Sequence, residues 1–86
     1  MYKVIYSRKV RKFFDKQTEK FIKRFDKTRK ILQKNPYQNN LSIKKIKDKK
    51  DIYRLRIGEY RILYKISDDV NIILIFDAGH RKNIYR

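Results

Sequence analysis

The stretch Ile52-Tyr53-Arg54-Leu55-Arg56-Ile57-Gly58-Glu59-Tyr60-Arg61-Ile62-Leu63-Tyr64-Lys65-Ile66 decides the fold. Apolar and polar residues alternate on both sides of Gly58-Glu59, which is the pattern of two half-buried strands, 52–57 and 60–66. Gly at the first central position suits a two-residue type II′ hairpin turn. That turn pairs Ile57 with Tyr60, and therefore Arg56 with Arg61 and Leu55 with Ile62. Directly opposed residues share a face, so Arg56 and Arg61 point the same way, with Arg54 and Lys65 further along. Like charges opposed across a ladder destabilise a sheet by a few tenths to about 1 kcal/mol. The arrangement makes sense with a bound anion, and phosphate is the natural one.

Working outward, Val70–Ala78 reads as a third strand, reached through a turn at Asp68-Asp69. Its run Ile72-Ile73-Leu74-Ile75 is apolar on both faces, which predicts a central, covered position. Running antiparallel, it brings Ala78-Gly79-His80-Arg81 back beside Tyr60 and Arg61. Arg56, Arg61, His80 and Arg81 are thus expected to converge at one end of the sheet, with Tyr85 in short reach. Any one of them alone would be an ordinary surface residue; four together with an aromatic point to a site.

On the N-terminal side, Met1–Tyr6 is rich in strand formers. Ser7 is placed to cap a short helix carrying Val10, Phe13 and Phe14. A second helix opens near Thr18, with Phe21, Ile22, Phe25 and Leu32 as its apolar stripe, and stops at Asn35-Pro36 because a residue before proline is pushed out of the helical region. Gln38–Lys50 is polar and basic and reads as a loop leading into a strand, anchored by Leu41, Ile43 and Ile46. The sum is an α+β fold in one domain, residues 1–86: a strand, a helical hairpin, and a three-stranded antiparallel meander.

Composition narrows the function. The 86 residues hold 25 Lys and Arg against 9 Asp and Glu, a net charge of +16. Such a surface attracts polyanions, so nucleic acid is the leading partner. A lysine-rich proteome accounts for part of that excess, but not for arginines inside strands. Hydrophobic content of 41% with 14% aromatics argues against disorder. There is no cysteine, so disulfides and thiolate metal sites are excluded, and a reducing, cytoplasmic setting is expected. The longest apolar run, Ile72–Phe76, is too short to span a membrane, and Arg8, Lys9, Arg11 and Lys12 break up any secretory signal. His80 is the sole histidine, and Asp48, Asp51, Asp68, Asp69 and Asp77 lack ligand spacing, so neither metal nor cofactor is expected. Two glycines cannot build a phosphate-binding loop of the Walker type.

RNA cleavage by the neighbouring 2′-hydroxyl fits what remains. The protein must align the phosphate, neutralise charge growing on its oxygens and move two protons. Arginines do the first two, and an aromatic stacks on a displaced base.

At this point the chain resembles a known family. Tyr53-Arg54-Leu55-Arg56-Ile57-Gly58-Glu59-Tyr60-Arg61-Ile62-Leu63-Tyr64 and Ala78-Gly79-His80-Arg81-Lys82-Asn83-Ile84-Tyr85 resemble the RelE branch of the RelE/ParE toxins. Length, charge and element order agree along the whole chain. The resemblance implies a type II toxin that cleaves messenger RNA in the ribosomal A site, together with a cognate antitoxin that wraps and masks it. It implies that Arg61 and Arg81 bind phosphate and act as acid, and that Tyr85 stacks on a base. Arg54 and Arg56 stand where well-known members have lysines, one of them proposed as general base. Arginine rarely releases a proton, which makes His80 the proton acceptor in this reading. Lys65 and Lys82 join Arg54 as RNA-binding residues. The alternative within the same fold is a ParE-like, non-enzymatic inhibitor of DNA gyrase; the blandest is a general RNA-binding protein.

Overall fold

The computed structural model describes residues 1–38 and 42–80. Its elements are β1 (Lys3–Tyr6), α1 (Arg8–Asp15), α2 (Glu19–Lys34), β2 (Ile43–Lys45), β3 (Ile52–Ile57), β4 (Tyr60–Ser67) and β5 (Ile72–His80). They form one five-stranded sheet in the order β1-β5-β4-β3-β2. The expected meander is its centre, β3-β4-β5, antiparallel throughout. Two strands extend it beyond the expectation. β1 pairs with β5 in parallel, and β2 adds to β3 through Ile43 opposite Leu55.

Both helix starts are capped as the sequence suggests. Ser7 Oγ accepts from Val10 N at 3.2 Å and Thr18 Oγ1 from Phe21 N at 3.1 Å. Asn35 leaves the helix with extended backbone before Pro36. Its Oδ1 accepts from Tyr37 N, which turns the chain. The helical stripe differs in one member: Ile22 is 36% exposed, whereas Phe25 and Leu32 are buried.

The helices cover one face of the sheet. Val10, Phe25 and Leu32 pack there with Ile43, Leu55, Ile57, Ile62, Tyr64, Ile66, Ile73, Ile75 and Ala78. Two details of β5 depart from the expectation. It begins at Ile72 rather than Val70, because Asp68–Asn71 form a four-residue turn in which Asn71 takes φ 54° and its N–H donates to Asp68 O. Val70 sits in that turn, 58% exposed. The ladder with β4 also slips. Tyr64 is opposite Ile75 but Leu63 is opposite Asp77, so Phe76 is an extra, bulged residue. Ile73, Ile75 and Ala78 are buried on both sides of the bulge, while Ile72 and Leu74 are half-buried on the other face. β5 is therefore central in the sheet but fully covered on one face only.

A tyrosine clasp ties the far end of the sheet together. Tyr64 is fully buried and donates to Pro36 O at 2.9 Å. Tyr53 stacks on Tyr64 and meets Tyr37 edge-on. The Asp68 carboxylate accepts from both Tyr2 and Tyr37, so the residue leading into β1, the loop after α2 and the β4–β5 turn share one acid. Those two hydroxyls hold Asp68 below the usual carboxylate range. Asp68 in turn raises the Tyr37 hydroxyl above its ordinary value.

The sign follows from linkage. A depressed carboxylate contributes stability that is present above about pH 4 and lost as pH falls through its folded value; a raised tyrosine contributes stability that is lost as pH rises past about 10. Asp68→Asn should flatten both limbs of a plot of melting temperature against pH. Unchanged limbs would mean the clasp is not coupled to folding.

Candidate functional site

The β3–β4 hairpin builds the site. Gly58 has φ +58°, while Glu59 is absent from the positive-φ residues, as a type II′ turn requires. Ile57 pairs with Tyr60, Arg56 with Arg61 and Leu55 with Ile62. Across the next ladder Arg61 is opposite Gly79. One row on the face away from the helices thus reads Arg56, Arg61, Gly79. The row beside it reads Lys44, Arg54, Leu63, Asp77, and the next Ile52, Lys65, Leu74.

The arginines are not loose surface chains. Arg56 is exposed, but Arg54 and Arg61 are half-buried and their Nε atoms are shielded from solvent. Their stems lie on the sheet, which limits the rotamers each guanidinium samples. Beside Arg61, Gly79 leaves a gap: among the described residues a Cβ built there would meet no atom within 4 Å. A planar, always-charged fork at the edge of an open notch is suited to gripping a phosphate.

His80 is brought to the same end of the sheet but not to the same face. It is opposite Tyr60 and meets that ring edge-on at 5.9 Å. Tyr60 packs on Phe13 and Phe21 of the helices, each at 5.3 Å. Neighbours in a strand point to opposite faces, so with Gly79 beside Arg61, His80 must face the helices. There it lines a cleft of about 310 Å³ with Phe21, Arg24, Ile57 and Tyr60. Arg56, Arg61 and His80 thus meet at the expected end of the sheet but are divided between its two faces. Arg54, Arg56, Arg61 and Lys65 share one face, and His80 lies behind it. Arg81, Lys82 and Tyr85, like the loop anchor Leu41, lie outside the described residues.

Two participants went unread in the sequence. Lys44 extends the basic face through β2, in a stretch read as loop. Gly79 was noted only for its position, because the bulge at Phe76 that turns it to the arginine face leaves no mark in the sequence. Among the described residues no group of three or more His, Asp or Glu could hold a metal ion, and no helix is long and apolar enough to cross a membrane.

With this geometry in place, comparison with known proteins is informative. The family described as ParE toxin of type II toxin-antitoxin system, parDE, matches residues 4–85. RelE1 of Methanocaldococcus jannaschii is 32% identical over 66 residues, 76% of this chain and 73% of that protein. This chain belongs to the RelE/ParE toxin family. The toxin in the archaeal RelE–RelB complex of Pyrococcus horikoshii OT3 superposes with a TM-score of 0.83 at 26% identity, over 95% of this chain and 97% of that one. The RelB–RelE antitoxin–toxin complex of Methanococcus jannaschii gives 0.76 at 29% identity, over 94% of each. The α+β fold is therefore that of RelE structures, and the chain is a RelE-like toxin of the type II class.

If the arginine row is an anion site, divalent anions should stabilise the protein by binding the folded state alone. Sulfate should raise the melting temperature of wild type more than that of Arg56→Ala, against chloride at equal ionic strength. In dilute buffer Arg56→Ala should melt no lower than wild type, because a repulsion is removed. Equal sulfate responses would show only general salting-out.

Proposed function

We propose that this RelE-like toxin is a metal-independent endoribonuclease that cuts messenger RNA, with the ribosomal A site as its place of action. The observation carrying the reading is the opposed pair Arg56 and Arg61 beside the notch at Gly79. The scissile phosphate is proposed to lie over this row, its oxygens held by the two guanidinium groups. As the adjacent 2′-hydroxyl attacks the phosphorus and the bond to the 5′-oxygen breaks, the hydroxyl proton passes to water and the leaving 5′-oxygen takes one up; negative charge builds on the other phosphate oxygens, and cations already in place stabilise it without reorganising. Arg81 is proposed as a further phosphate ligand and acid, and Tyr85 as the stacking aromatic. Arg54, Lys65 and Lys82 hold flanking phosphates. No cofactor is needed by this chemistry.

His80, turned toward Tyr60, is proposed as a positioning residue in place of a proton acceptor. We propose that its ring, packed against Tyr60, steadies the end of β5 from which Arg81 follows. Because RelE toxins of other organisms crystallise with RelB, a cognate antitoxin is the proposed protein partner, in a cytoplasmic setting. The family match described as ParE keeps a second reading: inhibition of DNA gyrase without catalysis. Loss of supercoiling activity without cut RNA would favour it.

Single-turnover cleavage of ribosome-bound message separates chemistry from binding. Removing one preorganised donor typically lowers a rate on the order of 10²–10³-fold, so Arg61→Ala should do this while remaining folded and bound. His80→Ala should lose less. Wild-type cleavage by a folded, bound Arg61→Ala would place the active site elsewhere.

A further inference from the structure

A second basic feature lies on the helix side of β5. β1 ends where Tyr6 pairs with Ile75. Beyond it the chain turns into α1, with Ser7 N donating to Ile75 O at 2.9 Å and Ser7 Oγ to Phe76 O at 3.2 Å. Among the described residues no strand pairs with the outer edge of Asp77–His80. Instead α1 runs alongside, leaving an open groove of about 740 Å³ lined by Arg8, Lys9, Lys12, Phe13, Lys16 and Ala78.

One cation in this groove, Arg8, is placed against the helix's own interest. Arg8 and Lys12, four residues apart, share one face of α1, where like charges repel, and Lys16 follows at the C-cap. Arg8 opens the helix, at the positive end of its dipole, and the first turn holds no acidic residue to offset it. Lys9, a fourth cation on the groove wall, is paired with Asp77 at 2.8 Å. Three further cations thus face a groove whose wall, Ala78, is next in the chain to Gly79, the notch beside Arg61.

We propose that this groove is a second phosphate-binding subsite, which holds the backbone of single-stranded RNA as it leaves the arginine row over the outer edge of β5. The inference rests on the RNA reading above. It adds a path: the strand crosses at Gly79 and continues along Arg8, Lys12 and Lys16. Phe13 in the groove offers an apolar surface for a base, a sequence-tolerant contact.

The test uses uncleavable RNA, fully 2′-O-methylated, so that it reads binding whether or not the protein cuts. A strand of about 12 nucleotides has phosphates enough for both the arginine row and the groove, whereas a short strand of only two nucleotides has one linking phosphate and cannot fill both. Arg8→Gln/Lys12→Gln/Lys16→Gln removes three phosphate contacts. Each contributes about 0.7 to the slope of log affinity against log salt for single strands, so the slope for the long strand should fall by about 2, with binding weaker on the order of 10–100-fold near 0.1 M salt. The short strand should bind the variant about as well as wild type. Lys23→Gln/Lys27→Gln/Lys30→Gln on the outer side of α2 loses the same charge and should change the slope much less. Lys12→Gln/Lys16→Gln gives a smaller version of the same effect should the triple variant fail to fold.

Equal losses from the α1 and α2 variants would overturn the proposal in favour of diffuse charge. So would an unchanged slope, or undetectable binding of the long strand by wild type. An α1 variant that binds RNA normally but loses an acidic antitoxin would assign the groove to protein and overturn it too. A failure of the cleavage reading shows itself separately, in the rates of Arg61→Ala.

Discussion

Gly58 is the constraint on which the rest depends. Its φ of +58° lets β3 reverse in two residues, and that reversal fixes which residues of β3, β4 and β5 face each other. The register is held by more than the turn. A slip of one residue would move every side chain of a strand to the other face. Leu55 and Ile62, at 1% and 0% exposure, would go to water, and Arg56 and Arg61 into the core. Burying such a side chain is worth about 1.5–3 kcal/mol, against at most about 1 kcal/mol for the repulsion between the opposed arginines. The core wins, and the arginines are held opposite each other at the sheet's expense.

That conflict links stability to function. The helix-side face is a continuous aromatic and aliphatic layer, in which Phe13, Phe14, Phe21, Phe25 and Tyr6 meet ring to ring. It pins the strands that carry the basic residues on the opposite face. Because the arginines sit on strands rather than loops, their geometry is set before any ligand arrives. Preorganisation of this kind is what makes a cation useful to a developing charge. The clasp of Tyr2, Tyr37 and Asp68 secures the opposite end, away from the arginine row.

Much of this was legible in the sequence, and the boundary has physical causes. The hairpin, its register, both helix caps and the stop at Pro36 are local, written in turn chemistry and period-two alternation. The pairing of β1 with β5 is not local: a parallel partner at the far end of the chain leaves no mark in Lys3–Tyr6. β2 is only three residues long, too short for alternation to show in a lysine-rich stretch. The bulge at Phe76 hides in an unbroken apolar run, where any residue passes equally well as in or out. Its consequence is the largest of these. It resets the alternation before Gly79 and His80, and so sends the glycine to the arginine face and the histidine behind it. Of the site itself, Arg54, Arg56, Arg61 and Lys65 could be read because they follow directly from the hairpin.

The central claim is that the arginine row serves attack by RNA's own 2′-hydroxyl, and a single-atom change in the substrate tests it most directly. A message cut by the toxin on the ribosome is resynthesised with one 2′-deoxy nucleotide immediately 5′ to the scissile phosphate. The protein should bind the substituted complex as before, and cleavage at that phosphate should vanish while the parent message yields a 2′,3′-cyclic phosphate and a 5′-hydroxyl end. Cleavage of the deoxy-substituted message at the parent rate would contradict the account.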